Sequence, residues 1–362
     1  MHHNTTEKTG GRFGLLVTRS LAGLSRRFKW IGQLLRSPFV AIGTLIVLAF
    51  LLLAIFGERV APYDYDEDAF SNYDLAPYEE PDCFAEDPLS VPVLGNIQIF
   101  DPINAECNYV FGTDDLGRDV FSRVILGTRE IFRLAGLGTL IAVIIGAAIG
   151  LVIGYQGGWL DEITSRFLDS LLSIPALLLA LILIGSLPAS VTLPFPDIAV
   201  DVGPINFELG EYDFSLLDNS LVVVLVIVYS PIVARVVRSN VLSIKTREFV
   251  EAAQLRGESQ FYILTREILP SVIPALVVEA SLRFSYGIFL VASLGFLSLG
   301  TDPPTPNWGL MVNEAYVKQD YVCNEFQCRA WTITYPAMAI VLLVVSVNLM
   351  SDGIKQLVQR ND

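Results

Sequence analysis

Long apolar runs alternate along the chain with polar stretches that carry nearly all of its charge. Residues 39 to 57 and 134 to 154 hold no charged side chain and are long enough to cross a hydrocarbon core of about 30 Å; 333 to 350 is slightly shorter. Residues 171 to 187 and 220 to 237 are weaker, the second carrying Arg235 near its end, while 272 to 300 is long and contains Glu279 and Arg283. The pattern predicts an all-α membrane protein with six transmembrane helices. It divides the chain into a polar tail (1–38), a first span (39–57), a long polar segment (58–133), a five-helix core (134–351) with a polar loop at 247–270, and a short tail (352–362).

Charge gives these segments sides. The segments 1 to 38, 155 to 170, 235 to 271 and 351 to 362 hold sixteen of the 24 Lys and Arg, and the alternate segments 58 to 117, 188 to 219 and 301 to 332 hold three. By the positive-inside rule both termini and the 247–270 loop are cytoplasmic in a multi-pass protein of the cell membrane. The same three outer segments carry 25 of the 38 acids, so the net charge of −14 belongs mainly to the outside and excludes a nucleic-acid partner, which needs a basic face. A cationic partner and a merely solvated surface both fit that acidity. A mean hydropathy of +0.53, with 52% hydrophobic and 17% charged residues, excludes a soluble domain of this length.

All four cysteines fall in outer segments. Of three possible connectivities, the local one, Cys83 with Cys107 and Cys323 with Cys328, is the expectation on an oxidising exterior. No Cys-x-x-Cys spacing marks a metal site, and the only histidines are His2 and His3 at the start of the chain. With no nucleophile and base arrangement, the chain reads as no enzyme. The first tail places Leu21, Leu24, Phe28 and Ile31 at helical spacing among Arg19, Arg26, Arg27 and Lys29; an interfacial helix and a simple orientation-setting tail both fit.

The 247–270 loop is the most ordered polar stretch. It reads Glu251-Ala252-Ala253, three residues, then Gly257, and further on Ile268-Leu269-Pro270. A helix from near Arg247 through Arg256 would end in a left-handed cap at Gly257, and Ser259 would cap a second helix that Pro270 breaks or kinks. Two adjacent alanines leave a shallow surface for a partner. This arrangement resembles the EAA loop in permease subunits of binding-protein-dependent ABC importers. The resemblance implies that Glu251, Ala252, Ala253, Gly257, Ile268, Leu269 and Pro270 couple to a separate cytoplasmic ATPase, which holds the ATP and Mg while this chain binds no cofactor.

Other stretches carry the same resemblance. Arg36-Ser37-Pro38 and Ala61-Pro62-Tyr63-Asp64 resemble the start of C-type permeases of dipeptide, oligopeptide and nickel importers. Phe111 to Arg123 is similar to that family's GTDxxGRDVxSR stretch, read physically as a helix lying at the outer interface and turning into the span at 134. Tyr155 to Asp161 with Arg166 and Asp169, Ala292 to Gly300, Pro303 to Gly309, and Asn348 to Gly353 extend the match. Val291 departs from a commonly found Glu, Ser351 replaces a glycine, and three outer insertions interrupt the likeness. It implies half of a translocation pore, paired with a homologous permease, two ATPases and an extracytoplasmic solute-binding protein. Dipeptides, longer peptides, nickel chelates and other small solutes stay open.

Within the spans, Gly146, Gly150 and Gly154 form a stripe on which a neighbouring helix can pack closely, and Pro231 should kink its helix. Glu279 and Arg283 stand at i and i+4 within three turns of the cytoplasmic end. They read as a snorkelling or mutually neutralised pair, and alternatively as the ion site of a self-sufficient carrier or channel. No Gly-x4-Gly-Lys-Ser/Thr stretch exists to cradle a nucleotide.

Overall fold

The structure, a computed structural model, describes residues 38–65, 89–91, 95–97, 109–186, 201–202, 205–206, 220–320 and 329–361. All four cysteines, the amphipathic stretch at 19–31 and most of the outer insertions lie outside the described residues.

In chain order the helices are α1 (Pro38–Val60), α2 (Val120–Gln156), α3 (Gly158–Leu172), α4 (Ala176–Ser186), α5 (Ser220–Ile244), α6 (Glu248–Leu255), α7 (Gln260–Phe296), α8 (Trp308–Val317) and α9 (Trp331–Asn361). Five of them, α1, α2, α5, α7 and α9, are long and apolar enough to cross a membrane. The expected sixth span at 171 to 187 is instead a bent pair, α3 and α4, meeting at 93°. Pro175 explains the break, because it lacks an N–H and disfavours helical backbone at Ile174. Two small antiparallel hairpins, β1 (Leu89–Val91) with β2 (Gly95–Ile97) and β3 (Asp201–Val202) with β4 (Ile205–Asn206), sit in the outer insertions.

The expected interfacial helix is not separate from its span. α2 is a single 37-residue helix, about 55 Å long, with no turn at 134. It starts where it does because the Asp119 carboxylate accepts from the Ser122 N–H (2.8 Å), the Phe121 N–H (3.3 Å) and the Ser122 hydroxyl (2.6 Å). Pro231 and Pro270 lie inside helices. α5 runs on through Pro231, and α7 runs on through Pro270 because a π turn over Ile263–Ile268 takes up an extra residue just before it.

α2 and α5 make the central and most extensive contact. The glycine stripe creates it: a Cβ at Gly146, Gly150 or Gly154 would stand 2.7, 2.7 or 2.9 Å from the Cβ of Val233, Val237 or Val241. α7 packs on α2, α5, α8 and α9, and α1 closes the far side against α2 and α9. The main core gathers Ile131, Leu134, Leu225, Ile288, Trp308 and Leu343. A second core, around Val237, Val241, Val250 and Ile263, lies at the Gln156 end of α2.

Candidate functional site

The 247–270 loop folds from its own start and stop signals. Arg247 is extended and opens α6; after Arg256, Gly257 takes φ +78°, where only glycine is unstrained. A Cβ there would meet nothing within 4 Å, so the conformation and not crowding requires glycine. Ser259 caps α7 as expected, accepting from the Tyr262 N–H at 3.3 Å.

The segment has two unlike faces. Inward, Val250, Ala253, Ile263, Ile268 and Val272 are buried against Val237, Val241 and Ile244 of α5 and Ala147 and Leu151 of α2. Outward, Glu251, Ala252, Gly257 and Pro270 are exposed, with Leu269 half-buried. The expected coupling set therefore divides: Ala253 and Ile268 anchor the segment with Leu269 packed beside them, and Glu251, Ala252, Gly257 and Pro270 face out. Sequence reasoning missed Leu255 and Phe261, which are 83% and 76% exposed beside Gly257. An apolar side chain next to a helix-ending glycine in a charged loop was the available signal. Lys245 Nζ donates to the last-turn carbonyl of Gly154 (3.0 Å), tying the loop to the end of α2. Nearby, Arg238 grips Asp161 through Nε (2.5 Å) and Nη2 (2.7 Å), and Arg235 pairs with Asp169, so α3 is fastened to α5. An apolar inner face makes the segment and the α2–α5 pair one packed body, so a push on the outer face is transmitted to the spans.

The opposite end of the bundle holds an ion-pair network that sequence reasoning took for an interfacial helix. Asp114 Oδ1 accepts from the N–H groups of Leu116 (3.0 Å) and Arg118 (2.9 Å), and Oδ2 from Arg118 Nε and Arg123 Nη1, both at 2.8 Å. Glu314 of α8 accepts at Oε2 from Arg118 Nη2 and from both terminal nitrogens of Arg123, all at 3.1 Å. The arginine side chains are 4% and 2% exposed, so they do not snorkel. The alternating signs around Gly117 were visible in the sequence, but Glu314 lies almost two hundred residues away. At the rim, Asp115 pairs with Lys318 at 2.8 Å and pushes its ammonium pKa up, while burial pushes the Asp119 carboxyl up from its ordinary value.

Glu279 and Arg283 meet in the middle of the bundle. Arg283 Nε donates to Glu279 Oε1 at 2.7 Å, and its guanidinium carbon lies 6.0 Å from the Tyr229 ring centroid and 5.2 Å from that of Tyr286. Arg283 stands about 20 Å along the helix from Phe296 and about 34 Å from Gln260. The ion pair fits the mutually neutralised reading. Among the described residues no three His, Cys, Asp or Glu side chains are grouped to hold a metal.

Comparison with known proteins adds the following. Residues 146–361 match the family of binding-protein-dependent transport system inner membrane components, and residues 27–77 match the N-terminal TM domain of oligopeptide transport permease C. The dipeptide transport system permease protein DppC of Alkalihalophilus pseudofirmus is 30% identical over 323 residues, 89% of this chain and 86% of that protein. The glutathione transport system permease protein GsiD of Escherichia coli O1:K1 / APEC is 31% identical over 334 residues, 91% and 87% of the two chains. Among solved structures, an inward-facing conformation of the MetNI methionine ABC transporter covers 65% of this chain and 96% of its own at 18% identity, with a TM-score of 0.45.

Proposed function

The chain belongs to the binding-protein-dependent transport system inner membrane components, with the N-terminal domain of oligopeptide permease C, and from that premise we propose how it works. It is the membrane-spanning permease subunit of a peptide-type ABC importer. It forms half of a pore with a homologous permease, two ATPase subunits and an extracytoplasmic solute-binding protein complete the machine, and ATP and Mg reside in the ATPases. Both termini and the 248–270 segment face the cytoplasm, as the distribution of Lys and Arg requires. The cargo is a dipeptide, a tripeptide such as glutathione, or a solute of similar size, in keeping with the cargo named for the relatives.

The coupling acts through a two-state bundle. Closure of the ATPases on ATP moves α6, whose outer face, Glu251, Ala252, Leu255, Gly257 and Phe261, sits in the ATPase cleft. Its inner face moves α5 and α2 with it. The partner contact does work only because it differs between the two states of the bundle. One observation carries this reading: the segment that shows two large apolar side chains to the outside is, on its other face, part of the α2–α5 core. The self-sufficient carrier built on Glu279 and Arg283 loses its ground with family membership.

Gly257→Trp tests the reading, because the bulky residue is strained at φ +78° and stands on the docking face. In cells expressing the whole importer, uptake of alanylalanine should fall at least tenfold, on the order of 1.4 kcal/mol of lost coupling, while the chain still reaches the membrane. Unchanged uptake, or accumulation by this chain alone in liposomes, would overturn it.

A further inference from the structure

We propose that Arg283 is a carboxylate-receiving post midway along the solute path, an inference that rests on the importer reading and names one point of contact with the cargo. A guanidinium has five N–H donors, and Arg283 commits only Nε, to Glu279. Its two terminal nitrogens have no acceptor among the described residues, and the guanidinium lies beside the rings of Tyr229 and Tyr286. Tyr286 is 52% exposed, so the unsatisfied edge of the guanidinium borders an open surface of α7.

That surface cannot be turned to lipid. Four N–H donors without acceptors facing hydrocarbon would cost several kcal/mol, more than contact with two rings offsets. The face belongs to water, to a polar visitor or to a polar group of the paired permease, and only the first two leave it open to water-borne reagents. Ser293, two turns further on, continues the same side of the helix and is half-buried.

The chemistry selects the visitor. Free terminal N–H groups of a guanidinium accept a carboxylate in charge-assisted hydrogen bonds. Glu279 is buried and keeps the resting pair neutral, so an arriving carboxylate shares the arginine with an anion already in place. Binding is thereby weakened enough for release, as a site along a path requires. Both aromatic faces hold the guanidinium plane in position.

The test places a thiol beside the post. In membranes containing the full chain with its partner subunits, Tyr286→Cys should react with water-borne methanethiosulfonates above the background of the unsubstituted chain. Relative to a small free thiol, the anionic sulfonatoethyl reagent should be favoured over the cationic trimethylammonium reagent by about threefold, because the guanidinium edge lies beside position 286 while its counter-charge is held at Nε. Arg283→Gln in the same chain should abolish that preference and Arg283→Lys should retain it. Because Arg283→Gln strands a buried carboxylate, Glu279→Gln with Arg283→Gln provides a neutral pair that should lose the preference equally. Alanylalanine should protect the thiol and its C-terminal amide should not, and protection should vanish without Arg283. A thiol that does not react, a preference indifferent to Arg283, or equal protection by the amide would each overturn the proposal, whereas failure of the ATPase to assemble or of Gly257→Trp to matter would instead overturn the importer reading beneath it.

Discussion

At its Val120 end α2 is fastened by charge, and at its Gln156 end by apolar contact. The first end joins the turn at 114–119 to α8 through two buried arginines shared between Asp114 and Glu314. The second joins α6 and the start of α7 to α5 mainly through aliphatic side chains, with Lys245 bonded to the Gly154 carbonyl beside them. Buried ion pairs add little net stability, but their directional bonds fix distance and angle. Apolar burial stabilises without direction. The charged end is thus suited to hold two outer loops in one geometry, and the apolar end to move as a block when a partner pushes it.

The sharpest way to break this contrast is to remove one charge from the network. Arg123→Met leaves two carboxylates competing for Arg118 in a buried site and should cost about 3 to 5 kcal/mol. Thermal denaturation in detergent would read it as a large fall in midpoint. Arg123→Met combined with Glu314→Leu leaves the one-to-one pair of Asp114 and Arg118, and should recover part of the loss despite carrying the extra substitution. If the double variant is no better than the single one, charge balance is not what fastens this end.

A smaller effect is expected at the apolar end. Ile268→Val removes one buried methylene group and should cost about 1 kcal/mol, with the same value at low and high salt. A marked salt dependence would mean that the anchoring of the segment is electrostatic after all, and the two ends would no longer differ in kind.

What the sequence disclosed follows the same division. Local signals were readable: the glycine at 257, the serine cap at 259 and the stripe of Gly146, Gly150 and Gly154 all act within a few residues or along one helix face. Family likeness marked the 247–270 loop as the expected coupling segment. The network at 114 was not readable, because Glu314 reaches Arg123 only through the packing of α8 on the bundle, and an arginine near a span end looks the same whether it snorkels or is buried. Pro270 was expected to break or kink the helix that Ser259 caps, whereas α7 runs from Gln260 through it to Phe296 across a π turn.

The smallest effect on the chain itself should come from Leu255→Ser, and it separates the two plans most cleanly. Leu255 is 83% exposed, so its loss should change the denaturation midpoint by no more than about 0.5 kcal/mol of stability. The cost appears only in company. Burying a leucine in a partner's cleft contributes about 1.5 to 3 kcal/mol, so titration of the detergent-solubilised permease pair with its ATPase should show affinity weakened on the order of tenfold or more. Lys318→Ser at the charged end, equally on the surface and 2.8 Å from Asp115, should leave that affinity unchanged. Equal ATPase binding by Leu255→Ser would mean the exposed apolar face serves lipid or another neighbour. A stability loss of several kcal/mol would mean the side chain belongs to this chain's own core, and with it the distinction between a fastened end and a gripping end would fail.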